Sequence, residues 1–289
     1  MYSIFVDTDC DITPEIAAKY GFKLISMPYN ADGKEIFPYV DFKKFDYKEF
    51  YNMLRSGVLP STSALPPTKY IEYFEPEFKA GRDVLYVHFS AAMSGTFNSM
   101  RLALEELYAK YPDRKLYTID TKGITLGSYN IVLEIGDLYK QGKSIEELQK
   151  WAEKEVDKFA IYFYADNLKF FAKSGRVSGL AAFMGGIIGL HPIIFMDSDG
   201  TMKTCDKSRG KMPTLNKLLQ HVVELQDDIK SHRIIIAHTD ALDIAHEFAD
   251  MLRKQFGDDL DIEYSVVNPT AGSHCGPDCI GVSFHAIHR

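Results

Sequence analysis

The chain has 289 residues, with 33 Lys and Arg against 40 Asp and Glu, a net charge of −7, and a composition that is 46% hydrophobic and 25% charged. This is ordinary globular composition at two-domain length, and its acidic balance excludes a dedicated nucleic-acid binder with a basic surface. Four cysteines in a chain this long exclude a disulfide scaffold, and the start MYSIFVDTDCD has neither a basic leader nor a long apolar run, so a cytoplasmic protein without a signal peptide is expected.

In chain order, the β-rich run at residues 3–6 predicts a strand that ends at Asp7-Thr8. Thr13-Pro14-Glu15 then reads as N-cap, first helical position and acidic first turn. A short strand is expected at 24–27, and Asp46 caps a helix that closes at Gly57. A polar loop at 60–63 precedes Pro66-Pro67, which opens a helix to about residue 80. Residues 84–89 predict a strand, 90–95 a loop and 96–110 a helix. A second strand ends in Asp-Thr at Asp120-Thr121, followed by a helix over 124–140 and a capping box at Ser144 and Glu147. Such alternation favours a mostly parallel sheet with helices on both faces.

The second half differs. Strands are expected at 159–164, 193–196, 202–205, 233–238, 262–267 and 281–287, with helices at 211–230 and 242–256. Asp197-Ser198-Asp199-Gly200 signals a hairpin, so a mixed sheet is expected. Residues 177–196 carry no formal charge, yet glycines, Ser178, His191 and Pro192 make a poor membrane span. The better reading is a short apolar helix and then a buried strand, packed against core or against an apolar ligand. The fold class is therefore α/β, with two α/β domains, 1–155 and 156–289, each a sheet flanked by helices.

Three loops carry candidate chemistry. Ser94-Gly95-Thr96 stands between a strand and a helix N-terminus, where free N–H groups and the helix dipole favour an anion; the alternative is that Thr96 simply caps the helix. Ser61-Thr62-Ser63 lies between prolines and offers three hydroxyls to a carboxylate or phosphate; alternatively it is an exposed turn. Residues 272–279, with His274, Cys275 and Cys279, read as a Gly-rich loop. No second ligand pair supports zinc, since His285 and His288 point to opposite faces of a strand. No metal site and no cofactor is expected. A hydrolase with Ser94 as nucleophile, His274 as base and Asp7 or Asp120 as acid lacks the Gly-x-Ser-x-Gly elbow, and no Walker A or Gly-x-Gly-x-x-Gly motif is present.

Asp7-Thr8, Ser61-Thr62-Ser63, Ser94-Gly95-Thr96-Phe97-Asn98-Ser99, Gly175-Arg176 and Gly272-Ser273-His274-Cys275-Gly276-Pro277 together resemble the motifs of the DegV family, in the family's order and over residues 3–288. The resemblance implies two α/β domains with a long-chain fatty acid of C14–C18 between them. It implies a lipid-binding protein, not an enzyme by itself, that presents the carboxylate to a separate ATP-dependent fatty acid kinase subunit for acyl phosphate formation. Thr62, Ser94, Ser61, Ser63, Gly95, Thr96 and His274 are the expected head-group residues. Leu180, Phe183, Met184, Ile187 and Ile188 are expected along the acyl chain, and Arg176 and Arg209 at the partner surface. Lys207-x-Arg209 resembles the family's basic stretch, and Asp278 replaces its usual glycine. The competing class is a stand-alone enzyme, either an acyl hydrolase using Ser94 or a subunit like those of dihydroxyacetone kinase, a fold of similar kind. No nucleic acid and no stable membrane insertion are expected.

Overall fold

A computed structural model describes residues 2–180 and 189–289. In the first part, β1 (Tyr2–Asp7) stops at Asp7, whose side chain caps a single 3-10 turn; Thr13 and Pro14 then open α1 (Pro14–Tyr20) as their types predict. The chain continues through β2 (Lys23–Ile25), β3 (Tyr29–Ala31), β4 (Lys34–Ile36), α2 (Tyr47–Arg55), β5 (Ser61–Thr62), α3 (Pro67–Lys79), β6 (Asp83–His88), α4 (Thr96–Lys110), β7 (Leu116–Asp120), α5 (Leu126–Lys140) and α6 (Ile145–Glu155). Four strands form a parallel sheet in the order β2-β1-β6-β7, so Asp7, His88 and Asp120 end at one edge. Beside it, β3 pairs antiparallel with β4 and β5.

The second part contains β8 (Phe159–Tyr164), α7 (Lys169–Ser174), β9 (Val177–Ser178), β10 (Leu190–Met196), β11 (Met202–Arg209), α8 (Lys211–Leu225), β12 (Ile234–His238), α9 (Leu242–Phe256), β13 (Ile262–Val266), α10 (Pro269–Cys275) and β14 (Ile280–His285). Its seven-stranded sheet runs β13-β12-β14-β8-β10-β11-β9, parallel at its two ends and antiparallel between. The hairpin forms at Asp197–Gly200 as expected, with Gly200 in the left-handed region at φ 78°. The helix expected to reach residue 230 ends at Leu225.

Helix α5 joins the two parts. It packs against α1 on one side and against β8, β12 and β14 on the other. Two glycines permit this. A Cβ at Gly127 would stand 2.0 Å from Ile161 Cδ1, and one at Gly136 would stand 2.5 Å from the Tyr20 ring. One core fills the space around the parallel sheet and the inner face of the second sheet. A separate core, with Leu215, Leu218, Val222, Phe248 and Leu252, lies under α8 and α9.

Candidate functional site

The carboxyl ends of β1 and β6 set the floor of the site. Asp7 accepts from Cys10 N (3.2 Å), Phe89 N (3.2 Å) and Tyr86 Oη (2.9 Å). Burial still pushes its carboxyl up, to about 6. Asp11 accepts from Asn268 N (2.9 Å) and Asn268 Nδ2 (2.8 Å), and burial pushes it up to about 7. Between them, Asp9 Oδ1 is buried without a hydrogen-bond partner among the described residues. Burial, with Asp7 and Asp11 adding repulsion, raises Asp9 well above the carboxylate range.

Asn268 also starts α10. Its side chain accepts from Ala271 N (2.9 Å) and Pro269 takes the first helical position. Residues 269–275, expected as loop, are therefore a short helix. Gly272 admits the Tyr51 hydroxyl, which would be 2.6 Å from a Cβ there, and Tyr51 donates to Val267 O at 2.8 Å. The last turn carries His274, whose Nε2 lies 2.9 Å from Thr62 Oγ1. Thr62 is held by strand pairing to Tyr29, so the expected polar loop is in part a strand. Burial, then the positive charges of Arg176 and Lys173, depress the His274 imidazole to about 4. It is neutral at pH 7. Lys173 donates to Leu59 O and Pro60 O, tying α7 to the residues just before β5.

On the opposite side, Gly95 stands at the N-cap of α4 with no side-chain cap. Thr96 does not cap the helix: its hydroxyl accepts from Leu65 N (3.1 Å) and meets Tyr70 Oη at 2.9 Å. Ser94 Oγ accepts from Thr96 N at 3.2 Å.

These elements enclose a cavity whose empty space, open mouth included, is about 960 Å³. Thr62, Ser63, Ser94, Arg176 and His274 line it where residues are half-buried or exposed, so they mark the mouth. Buried Met27, Ile161, Phe163, Ala237, Val267 and Ile280 make its inner wall. Thr96 also reaches the lining, whereas Ser61 and Gly95 do not. Leu180 is 5% exposed and packs in the core instead of lining the cavity among the described residues. The second sheet contributes to the cavity wall from β8, β12, β14 and, at Met202, β11, whereas residues 193–195 of β10 are not among the lining residues. Phe183, Met184, Ile187 and Ile188 lie outside the described residues.

Arg176 precedes β9, beside the Met202 end of β11, and Arg209 ends that strand roughly 23 Å away. The two arginines therefore stand near opposite ends of β11. Asp278 does not face the cavity: it pairs with Arg55 at 2.6 Å, which also binds Asp240. Its φ of 64° is left-handed, a conformation that suits glycine and that Asp tolerates. Cys279 Sγ donates to Cys275 O at 3.4 Å, burial raises both thiols, and no cluster fit for a metal occurs among the described residues. His274 faces Thr62, while Asp7 and Asp120 bind backbone amides, so the geometry of a Ser94 triad is not formed. Sequence reasoning missed Asp9, Thr125, Thr239 and Thr270, all cavity residues. Only the Asp7-Asp9-Asp11 alternation offered a signal for the first of them.

Among proteins of known sequence, the DegV domain-containing protein CPE0026 of Clostridium perfringens is 32% identical over 284 residues, covering 98% of this chain and 97% of that protein. Among solved structures, a stearic acid-binding protein from Eubacterium ventriosum superposes with a TM-score of 0.87 at 21% identity, over 99% of this chain and 98% of that one. A DegV family protein from Thermus thermophilus, described for its fatty acid binding, gives a TM-score of 0.86 at 21% identity, with 99% of each chain covered. Both share its fold. The family model described as "Uncharacterised protein, DegV family" matches residues 1–286, and with that full-length match the chain belongs to the DegV family.

Proposed function

We propose that this chain binds a long-chain fatty acid between two α/β domains, 1–155 and 156–289, and presents its carboxylate to an ATP-dependent fatty acid kinase subunit in the cytoplasm. The observation that carries this reading is the meeting of Thr62 and His274 at the polar mouth of an apolar cavity. With the neutral imidazole donating from Nε2 to Thr62 Oγ1, the Thr62 proton is free to go to a carboxylate oxygen. The Ser94 hydroxyl donates to the other oxygen, with Ser63 and Thr96 also lining the cavity. Arg176 and Lys173 add a positive field that favours an anion. The acyl chain gains roughly 0.8 kcal/mol per buried methylene, about 12 kcal/mol gross for fifteen, before ordering costs. The protein performs no chemistry itself: Arg176 at the mouth and Arg209 farther along β11 dock the kinase. Solved relatives described with stearic or heptadecanoic acid support the ligand class.

Organic extraction of purified protein followed by mass spectrometry tests the reading, with a C14–C18 fatty acid expected. Folded protein that yields none and takes up none when it is added would overturn it.

A further inference from the structure

The inner end of the cavity holds a group that the head-group clamp does not use. Asp9 lines the cavity, is 6% exposed, and leaves Oδ1 buried with no hydrogen-bond partner among the described residues. An unsatisfied buried oxygen of this kind is costly in a finished core. On the same turn Asp7 receives three donors, and Asp11 receives two on Oδ1 while its Oδ2 is likewise buried without a partner among the described residues; of these two orphaned acids Asp9 is the one that lines the cavity. Thr125, whose N–H donates to Asp9 O at 2.8 Å, also lines the cavity and is held at the unusual φ of 48°. No cation pairs with Asp9 among the described residues, and burial raises its carboxyl, which favours the neutral form.

The depth of this group follows from α10. Thr270, Ala271, His274 and Cys275 form the face of that helix that lines the cavity. Its start is tied to Asp11 through Asn268, and its end carries His274 at the mouth. Six residues of helix separate the two, a rise of roughly 9 Å. An extended chain advances about 1.2 Å per bond, so the Asp11 end of α10, two residues along the chain from Asp9, corresponds to about the eighth carbon or beyond.

We propose that the inner cavity is a second polar subsite, where the Asp9 carboxyl hydrogen-bonds an oxygen carried along the acyl chain, so that the protein selects hydroxy or oxo fatty acids over plain ones. The inference rests on the fatty-acid reading above and adds a specificity-determining residue to it. A plain methylene chain offers the Asp9 carboxyl no hydrogen-bond partner; a mid-chain hydroxyl, which can donate or accept, offers one.

The test is competition binding of 10-hydroxystearic acid against stearic acid, on delipidated wild type and on Asp9→Leu, Asp9→Asn and Ser94→Ala. One neutral hydrogen bond predicts a wild-type preference of roughly three- to ten-fold for the hydroxy acid. Asp9→Leu should abolish or reverse that preference, and Asp9→Asn, which keeps a donor, should retain part of it. Ser94→Ala should weaken both acids alike and leave their ratio unchanged. Equal affinity of wild type for two tightly bound acids, or the same ratio in wild type and Asp9→Leu, would overturn the inference while the fatty-acid reading stood. Failure of wild type to take up either acid would overturn both.

Discussion

Glu77 and Asp7 are buried acids packed against the same parallel sheet, one at the amino ends of its strands and the other at the carboxyl ends. Glu77 accepts from Ser3 on β1, Lys23 on β2 and Arg82 just before β6. Burial pushes its carboxyl up, but these donors outweigh it and hold the group at about 2. At the other end Asp7, Asp9 and Asp11 meet only backbone, amide and hydroxyl donors or none, and all three are raised. Cations do stand at that end. Lys173 and Arg176 hydrogen-bond to backbone carbonyls at the cavity mouth instead of pairing with these acids. One end of the sheet uses its cations for stability, and the other leaves them available to an arriving anion.

The largest expected effect comes from Asp7→Ala. The substitution strands Cys10 N, Phe89 N and the Tyr86 hydroxyl in a dry interior. Each unpaired buried donor costs about 1–3 kcal/mol, so a loss of about 3 kcal/mol or more is expected in urea denaturation. A loss below about 1 kcal/mol would mean that Asp7 is not a structural hub, and the contrast with Asp9 would collapse.

The pH dependence of stability separates the two ends next. Glu77 has a depressed folded value, so its contribution is present above its ordinary 4.5 and is lost as pH falls toward about 2. Asp7 and Asp11 are raised, so their contribution is full below 3.8 and is lost as pH rises through about 6 and about 7. The Asp7 shift of about two units corresponds to about 3 kcal/mol. Asp11→Asn should therefore flatten the decline between pH 4 and 7, and Glu77→Gln should flatten the acid limb below 4.5. Unchanged limbs in both variants would remove the electrostatic contrast.

At the cavity mouth, Thr62→Ala or Ser94→Ala removes one hydrogen bond to a charged ligand, worth about 1.5–3 kcal/mol. Fatty acid affinity should fall roughly ten-fold or more, with stability little changed. Wild-type affinity in both variants would place the head group elsewhere.

What the sequence disclosed follows the range of the interactions. Caps at Thr13, Asp46 and the Ser144–Glu147 box are legible because each is closed within three residues. The Thr62–His274 contact spans 212 residues, and only the resemblance to a family brought the two together. Helix α10 was concealed by Gly272 and Gly276, which read as loop residues. Gly272 is small because Tyr51 packs on it, and Gly276 because its φ is 75° and Phe170 lies against it, so both answer to packing that the local pattern does not contain. Asp9 is invisible for a related reason: an acid on an acidic chain looks solvated until α5 and α10 pack against its turn.

The smallest predicted effect tests the cations at the mouth. Three influences depress His274, burial first, then Arg176 and Lys173. Removing a positive neighbour favours the protonated ring, so Arg176→Ala should raise the His274 value above about 4 in an NMR titration. The value should remain below 6.5, because burial is the larger cause and is unchanged. An exposed charge contributes about 0.2–1 kcal/mol to a neighbouring ion, so fatty acid affinity should drop only a few-fold. That drop should shrink as salt rises, since screening acts over about 8 Å at physiological ionic strength. A His274 titration indifferent to Arg176 would show that the mouth carries no field of its own. The two ends of the sheet would then differ only in how their acids are bonded.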